Sequence, residues 1–253
     1  MLKGKIIINT RPLGSEDLIG NALEKLGAIV LSMPLIEIFQ IPVSKKTLSN
    51  ITKKDNYQWV VFTSKNGVEY LFNQLDLAEK TKALPFKTAV FGERTAKALQ
   101  DKGFNPTLVV EGTTSADLLN ELLPKLQIRE KVLLVLGDLS SNILEDGLKS
   151  KVDVDRLNIY RTEIVKSVEV QMITRVAKND YDLILFTSPS GFNSFLHHTT
   201  DKLDLNKLKI ACLGPTTEEK ILSEGLVPLV VAKPSGKAGI LKGMEEYFSK
   251  VHV

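Results

Sequence analysis

The stretch YQWVVFTSKNGVEYLFNQL (residues 57–75) returns as YDLILFTSPSGFNSFLHHT (181–199), and AVFGERTAKALQDKGF (89–104) returns as ACLGPTTEEKILSEGL (211–226). Each copy opens on an apolar run of strand length, turns through a Ser/Thr/Gly corner, and continues with helical spacing of its apolar positions. A chain that repeats its strand-to-helix corners repeats a set of helix N-termini, where unpaired amides and the helix dipole favour anions. The repeat predicts two similar lobes with a cleft that holds something negatively charged.

Working outward, KIIIN (5–9) reads as a short buried parallel strand, followed by a helix in SEDLIGNALEKLG with Ser15 as N-cap and Gly27 at its end, then the strand AIVLS. The same strand–helix–strand unit returns at 131–159, KVLLVLGDLSSNILEDGLKSKVDVDRLNIY. Segments beginning at Thr113 (TTSADLLNELL) and Ser235 (SGKAGILKGMEEYF) close each series. Strands alternating with helices imply an α/β architecture with mostly parallel sheets covered on both faces, and ligand sites beyond the C-terminal strand ends. Two extended segments, PLIEIFQI (34–41) and LNIYRTEIV (157–165), carry neither corner chemistry nor helical period. They could pair as a two-stranded bridge. A tandem cut near residue 125 and a discontinuous cut at both bridges, with 42–156 as one lobe, are both open; the symmetric bridges favour the second.

Composition narrows the classes. The 253 residues, 43% hydrophobic and 25% charged, suit two globular lobes rather than a disordered chain. The net charge of +3 is mild and the basic residues are scattered. KTKALPFK and SKKTLSNITKK read as solvated faces, so no nucleic-acid partner is expected. Cys212, the single cysteine, excludes a disulfide framework and sits in a strand pattern rather than beside a histidine. The N-terminus lacks a signal-type apolar run, and no stretch is long enough to cross a bilayer. A cytoplasmic protein without a membrane partner is expected, with a monomer as the default.

Plain N-capping accounts for any one corner taken alone. Two corners sharing Phe-Thr-Ser at the same point of two repeats favour ligand binding at Thr63, Ser64, Lys65 and Asn66, and at Thr187, Ser188, Pro189 and Ser190. Gly92 and Gly214 add to this, because glycine at a strand end lets a ligand approach the backbone. A helix N-terminus contributes only about 0.3–1 kcal/mol to a surface anion. A mono-anion gains little from such a layout and a polycarboxylate gains much. The usual catalytic sets are missing: no P-loop, no dinucleotide fingerprint, and in SPSGF only part of a nucleophile elbow. His197 and His198 are adjacent on a helix and His252 is terminal, so all three are expected in solvent and no metal site is expected. Tyr160 is the odd residue, with packing and active-site placement both open.

TRPLGSEDLIGNALEKLGAIVLSMPLIEI, FTSKNGVEYLF, AVFGERTAKALQDKGF, NIYRTE, FTSPSGFNSFL and CLGPTTEEKILSEGLVP together resemble the uroporphyrinogen-III synthase family, from Thr10 to about Leu241. The resemblance implies two Rossmann- or flavodoxin-like lobes, an internal duplication joined by a two-stranded β-ladder. It thereby selects the discontinuous cut: 1–35 plus 166–253, and 42–156, with linker strands 36–41 and 157–165. It implies a cofactor-free lyase acting on hydroxymethylbilane, a linear tetrapyrrole bearing eight carboxylates, which agrees with the polyanion argument. It further implies Tyr160 as a hydroxyl donor that helps water leave, with Thr216 and Thr217 as the contact pair of Gly214-Pro215-Thr216-Thr217. Substrate contacts are carried over to Thr10, Arg11, Glu93, Thr113, Thr114, Ser115 and Ser235.

Two departures stand out. Asp138 occupies a corner where a basic residue is expected, and a carboxylate facing a polyanion is unfavourable, so that corner is expected to stay clear of substrate. Lys65 and Asn66 replace small or proline residues, and Lys65 suits a carboxylate. A non-catalytic two-lobe binder of a polycarboxylate is the alternative reading. A nucleotide- or sugar-phosphate-binding protein ranks third, for want of any phosphate motif.

Overall fold

The structure, a computed structural model, describes residues 2–12, 17–53, 55–75, 84–112, 114–200 and 203–251. In chain order its first elements are β1 (Ile6–Asn9), α1 (Leu18–Lys25), β2 (Ile29–Ser32), β3 (Ile36–Gln40) and α2 (Lys45–Ile51). Then come β4 (Trp59–Phe62), α3 (Lys65–Gln74), β5 (Lys87–Phe91), α4 (Glu93–Asp101), β6 (Leu108–Val110) and α5 (Ser115–Leu122). The next are β7 (Lys131–Gly137), α6 (Ile143–Lys149), β8 (Asp153–Ile164), α7 (Val170–Ala177), β9 (Leu183–Phe186) and α8 (Pro189–Thr199). The last are β10 (Ile210–Cys212), α9 (Pro215–Ser223), β11 (Val230–Val231) and α10 (Lys237–Val251).

Two compact units emerge, Met1–Glu37 with Glu163–Val253, and Ile38–Thr162. One sheet runs β11-β10-β9-β1-β2 and the other β3-β8-β7-β4-β5-β6. The ladders β11-β10-β9-β1-β2 and β6-β5-β4-β7-β8 are parallel throughout. β3 lies at an outer edge beside β8. There Val165 N–H donates to Leu35 O, and Ile41 N–H donates to Ile159 O, partners that run in opposite directions. The stretch 157–165 is not set apart from the strand before it: β8 runs from Asp153 to Ile164 without a break.

The apolar runs are buried on both faces, as parallel sheets require. In the first unit Ile8, Ile184, Phe186, Ile210 and Cys212 pack on α7, α8 and α9, while Ile7, Leu183, Leu185 and Ala211 pack on α1 and α10. In the second, Val60, Phe62, Val90 and Val135 meet α2, α3 and α4, and Trp59, Val61, Ala89 and Leu134 meet α5 and α6. The basic stretch at 44–54 contributes α2, capped by Ser44, whose Oγ accepts from Thr47 N–H. The expected start of α1 needs correction. Its N-cap is Asp17, which accepts from Gly20 N–H, while Ser15 lies outside the described residues. Asp17 also accepts from Asn9 Nδ2 at 2.7 Å, which ties the start of α1 to the end of β1.

Buried protonated groups give the fold a pH signature. Burial and the hydrogen bond to Asp155 push the Tyr57 hydroxyl well above its ordinary value. Burial also lifts Tyr181, against a bond from the Lys209 backbone. Burial, then the charge of Glu218, lifts the Cys212 thiol from 9.0 to about 12. A folded pKa above the unfolded one means stability that is complete below the unfolded value and lost as pH rises toward the folded one. Thermal unfolding scans should therefore show a melting temperature flat up to about pH 9 and falling steadily from there to about pH 12. A melting temperature unchanged at about pH 11 would contradict this.

Candidate active site

Parallel pairing sets the C-terminal strand ends of each sheet along one edge, and the corners follow. In the first sheet the neighbouring ends of β11, β10, β9 and β1 lead into Ser235, Gly214, Thr187–Ser188 and Thr10–Arg11. In the second, β6, β5, β4 and β7 lead into Thr114–Ser115, Gly92–Glu93, Thr63–Ser64 and Gly137–Asp138. Thr113 lies outside the described residues.

The two Phe-Thr-Ser corners share one local design. Ser64 Oγ accepts from Gly67 N–H at 3.2 Å, and Ser188 Oγ accepts from Gly191 N–H at 3.1 Å. A Cβ on Gly67 would stand 3.1 Å from Val135 O, so glycine lets the first turn of α3 approach β7. Each cap uses one amide and leaves the earlier ones open: Lys65 and Asn66 on α3, and Ser190 on α8, since Pro189 has no N–H. Capping and anion binding are therefore compatible at these corners. Thr114 caps α5 in the same way and forms a capping box with Asp117. Thr10 differs: it is buried, and its hydroxyl donates to Leu185 O at 2.8 Å, tying β1 to β9. Replacing Ser188 or Ser64 by Ala should each cost about 1 kcal/mol in denaturant unfolding. Ser64→Ala should in addition lower the kcat of any reaction that uses Tyr160, because Ser64 Oγ holds the tyrosine hydroxyl at 3.0 Å; a kcat equal to that of the unchanged chain would contradict this.

The glycine corners have no side-chain cap. Gly92 holds φ 80, a left-handed conformation that itself favours glycine, with open space around its Cα. Gly214 is extended, and its reason is contact: a Cβ there would lie 2.4 Å from Ser235 Oγ, which donates to Leu213 O at 2.8 Å. The fold thus brings Ser235 onto Gly214. On α9 Thr216 is exposed but Thr217 is buried. Glu93 is exposed in the first turn of α4.

Tyr160 lies half-buried on β8, its hydroxyl 3.0 Å from Ser64 Oγ and its ring 6.0 Å from that of Tyr70. Burial pushes the Tyr160 hydroxyl above its ordinary value; the Ser64 bond opposes this, and Asp138 and Tyr70 add to it. Around neutral pH it is a protonated donor at the N-terminus of α3. Lys65 pairs with Glu69 at 3.8 Å on the same helix. Arg11, half-buried, lies 4.0 Å from Asp17.

The histidine expectation is corrected in part. His197 is exposed, but His198 is half-buried with Nε2 2.9 Å from Val165 O, which ties α8 to the chain after β8. Among the described residues no three His, Cys, Asp or Glu side chains are arranged to hold a metal, and no helix is long and apolar enough to cross a membrane. A cavity of about 430 Å³ opens beyond β2, but Glu37 and Glu169 line it with Lys166, an unsuitable place for carboxylates. Two features escaped the sequence reading. Asn9 is buried with Oδ1 unpartnered, its amide held by Asp17. Gly137 underlies the Tyr160 ring.

Parallel α/β units whose helices open on uncapped first-turn amides, with the protonated Tyr160 hydroxyl beside those of α3 and the thiol buried, define the class of the protein as an α/β fold with anion-compatible strand-to-helix corners. A family model described as uroporphyrinogen-III synthase HemD matches residues 17–242. The chain belongs to the uroporphyrinogen-III synthase family, cyclising lyases of tetrapyrrole biosynthesis. It is 27% identical to the porphyrin biosynthesis protein HemD of Ruminiclostridium josui over 96% of this chain, and spans about half (49%) of that protein's length. A putative uroporphyrinogen-III synthase of Methanocaldococcus jannaschii is 28% identical, with 89% of this chain and 92% of that protein covered. A mutant uroporphyrinogen III synthase from Thermus thermophilus shares the fold, with a TM-score of 0.64 at 19% identity over 98% of this chain and 100% of that one.

Proposed function

We propose that this chain cyclises hydroxymethylbilane to uroporphyrinogen III, with loss of water and inversion of ring D. The observation that carries the reading is the protonated hydroxyl of Tyr160, held by Ser64 beside the open first-turn amides of α3. Carboxylates of the bilane are taken by the amides of Lys65, Asn66, Ser190, Thr216 and Thr217, and by the corners at Thr10–Arg11, Gly92–Glu93, Thr114–Ser115, Thr187–Ser188 and Ser235. Each amide-to-carboxylate bond contributes about 1.5–3 kcal/mol, so no one corner dominates. The electron-rich pyrrole expels the hydroxyl, Tyr160 donates a hydrogen bond to the departing oxygen, and an azafulvenium electrophile remains. Attack through the substituted carbon of the last ring gives a spiro intermediate, which fragments and recloses inverted. The open chain closes unaided to the symmetric isomer, so the protein's task is to hold one conformer, and orientation can supply roughly 7–11 kcal/mol.

The same reading takes the chain as an internal duplication, lobes 1–35 plus 166–253 and 42–156, with strands 36–41 and 157–165 as a β-ladder linker. The matching strand orders β11-β10-β9-β1-β2 and β6-β5-β4-β7-β8 support it. No cofactor, nucleic acid or membrane takes part, and the working unit is a cytoplasmic monomer. With binding shared among amides that a side-chain change leaves in place, Thr216→Ala should lower turnover less than about tenfold; a thousandfold loss would refute the shared-binding account. The function is tested with freshly generated hydroxymethylbilane. The protein should consume it well above the rate of spontaneous closure, unchanged by chelator. Consumption at the spontaneous rate by folded protein would overturn the proposal.

A further inference from the structure

Tyr160 stands opposite an irregularity. β7 and β8 keep one register from Lys131 paired with Asp153 to Leu136 paired with Asn158, then shift so that Gly137 pairs with Tyr160. An extra residue in one strand bends it and re-aims the side chains that follow. A Cβ on Gly137 would lie 2.4 Å from Tyr160 Cε2, 2.5 Å from Cζ and 2.8 Å from the hydroxyl oxygen. The backbone does not demand glycine, because Gly137 is not among the residues with positive φ. It is the ring that does. Laid flat on the Cα of residue 137, the ring carries its hydroxyl to 3.0 Å from Ser64 Oγ.

Asp138 pins the irregularity from both sides. Its N–H donates to Tyr160 O at 3.0 Å, and its Oδ1 accepts from Thr162 N–H at 3.1 Å and from Leu139 N–H at 2.9 Å. Arg156 holds the loop beyond, donating to Ser140 O at 2.8 Å and to Asn142 Oδ1 at 2.8 Å, with Glu145 at 3.5 Å. The carboxylate that looked misplaced for a polyanion corner is thus committed to backbone amides.

We infer that Gly137 and Asp138 are positioning residues for Tyr160: the glycine makes room for the ring and the aspartate locks the shifted register that turns it toward Ser64. This rests on the reading of Tyr160 as the hydroxyl that assists departure of water, and neither residue need touch substrate. The test is a double-mutant cycle on hydroxymethylbilane turnover with Gly137→Ala, Tyr160→Phe and the pair. Gly137→Ala should lower kcat about tenfold or more with KM within about twofold, yet cost less than about twofold further once Tyr160 is Phe. The same loss in both backgrounds would overturn the inference, since the glycine would then act on the fold rather than through the tyrosine. Should Gly137→Ala fail to fold, Asp138 carries the test. Asp138→Asn, which keeps the acceptor oxygen, should retain kcat within about twofold while Asp138→Ala loses about tenfold; equal losses would overturn the inference. Tyr160→Phe turning over like the unchanged chain would instead refute the tyrosine reading, and the inference with it.

Discussion

Replacing Tyr160 by Phe should lower the turnover of hydroxymethylbilane roughly a hundredfold, the lower end of what a positioned proton donor contributes, and leave KM nearly unchanged. The change removes one oxygen. The ring keeps its place over Gly137 and against Tyr70, so the fold around it is preserved. What is lost is the donor beside Ser64, and with it the assistance that the proposed mechanism assigns to it at the departing hydroxyl. The loss stays short of complete, because pyrrole electrons drive the departure and the amides of the corners still orient the bilane. Steady-state kinetics on freshly generated substrate measures it. Unchanged kcat would show that the hydroxyl serves packing alone.

Phe186→Ala should destabilise the first unit by about 3–5 kcal/mol, the usual cost of emptying an aromatic site in a dense core. Phe186 is fully buried, and its ring meets Phe192 at 5.1 Å and Phe195 at 5.3 Å, both edge to face. Those partners lie on α8, so the triplet fixes the helix whose N-terminus carries Ser188 and Ser190. Substrate affinity should therefore fall along with stability. Denaturant unfolding, followed alongside substrate KM, checks both. A loss under about 1 kcal/mol would mean that the site collapses around the missing ring.

Much of this architecture is legible in the repeat. Phe62 and Phe186 end equivalent strands, Ser64 and Ser188 cap equivalent helices, and both caps close on a glycine three residues on. These are local features: an apolar run, a capping hydroxyl, a glycine. What stayed hidden depends on tertiary contact. Nothing local marks the bond by which Asn9, at the end of another element, holds Asp17, the cap of α1. Nor does His198 announce its bond to Val165, thirty-three residues away. Gly214 read as room for a ligand, yet the space beside it is taken by Ser235. Asp138 read as a misplaced charge because its backbone partner at Thr162 lies across a strand pairing. Tyr160 was singled out as odd from its segment alone, but its hydroxyl partner, Ser64, lies ninety-six residues earlier.

The central claim is that this chain imposes one fold of the bilane on ring closure. The measurement that tests it most directly couples freshly generated hydroxymethylbilane to the protein, oxidises the products and separates the I and III isomers. The account predicts mainly the III isomer, in proportion to protein added. Only the I isomer, with the tetrapyrrole still tightly bound, would contradict it and leave a polycarboxylate binder in place of a synthase.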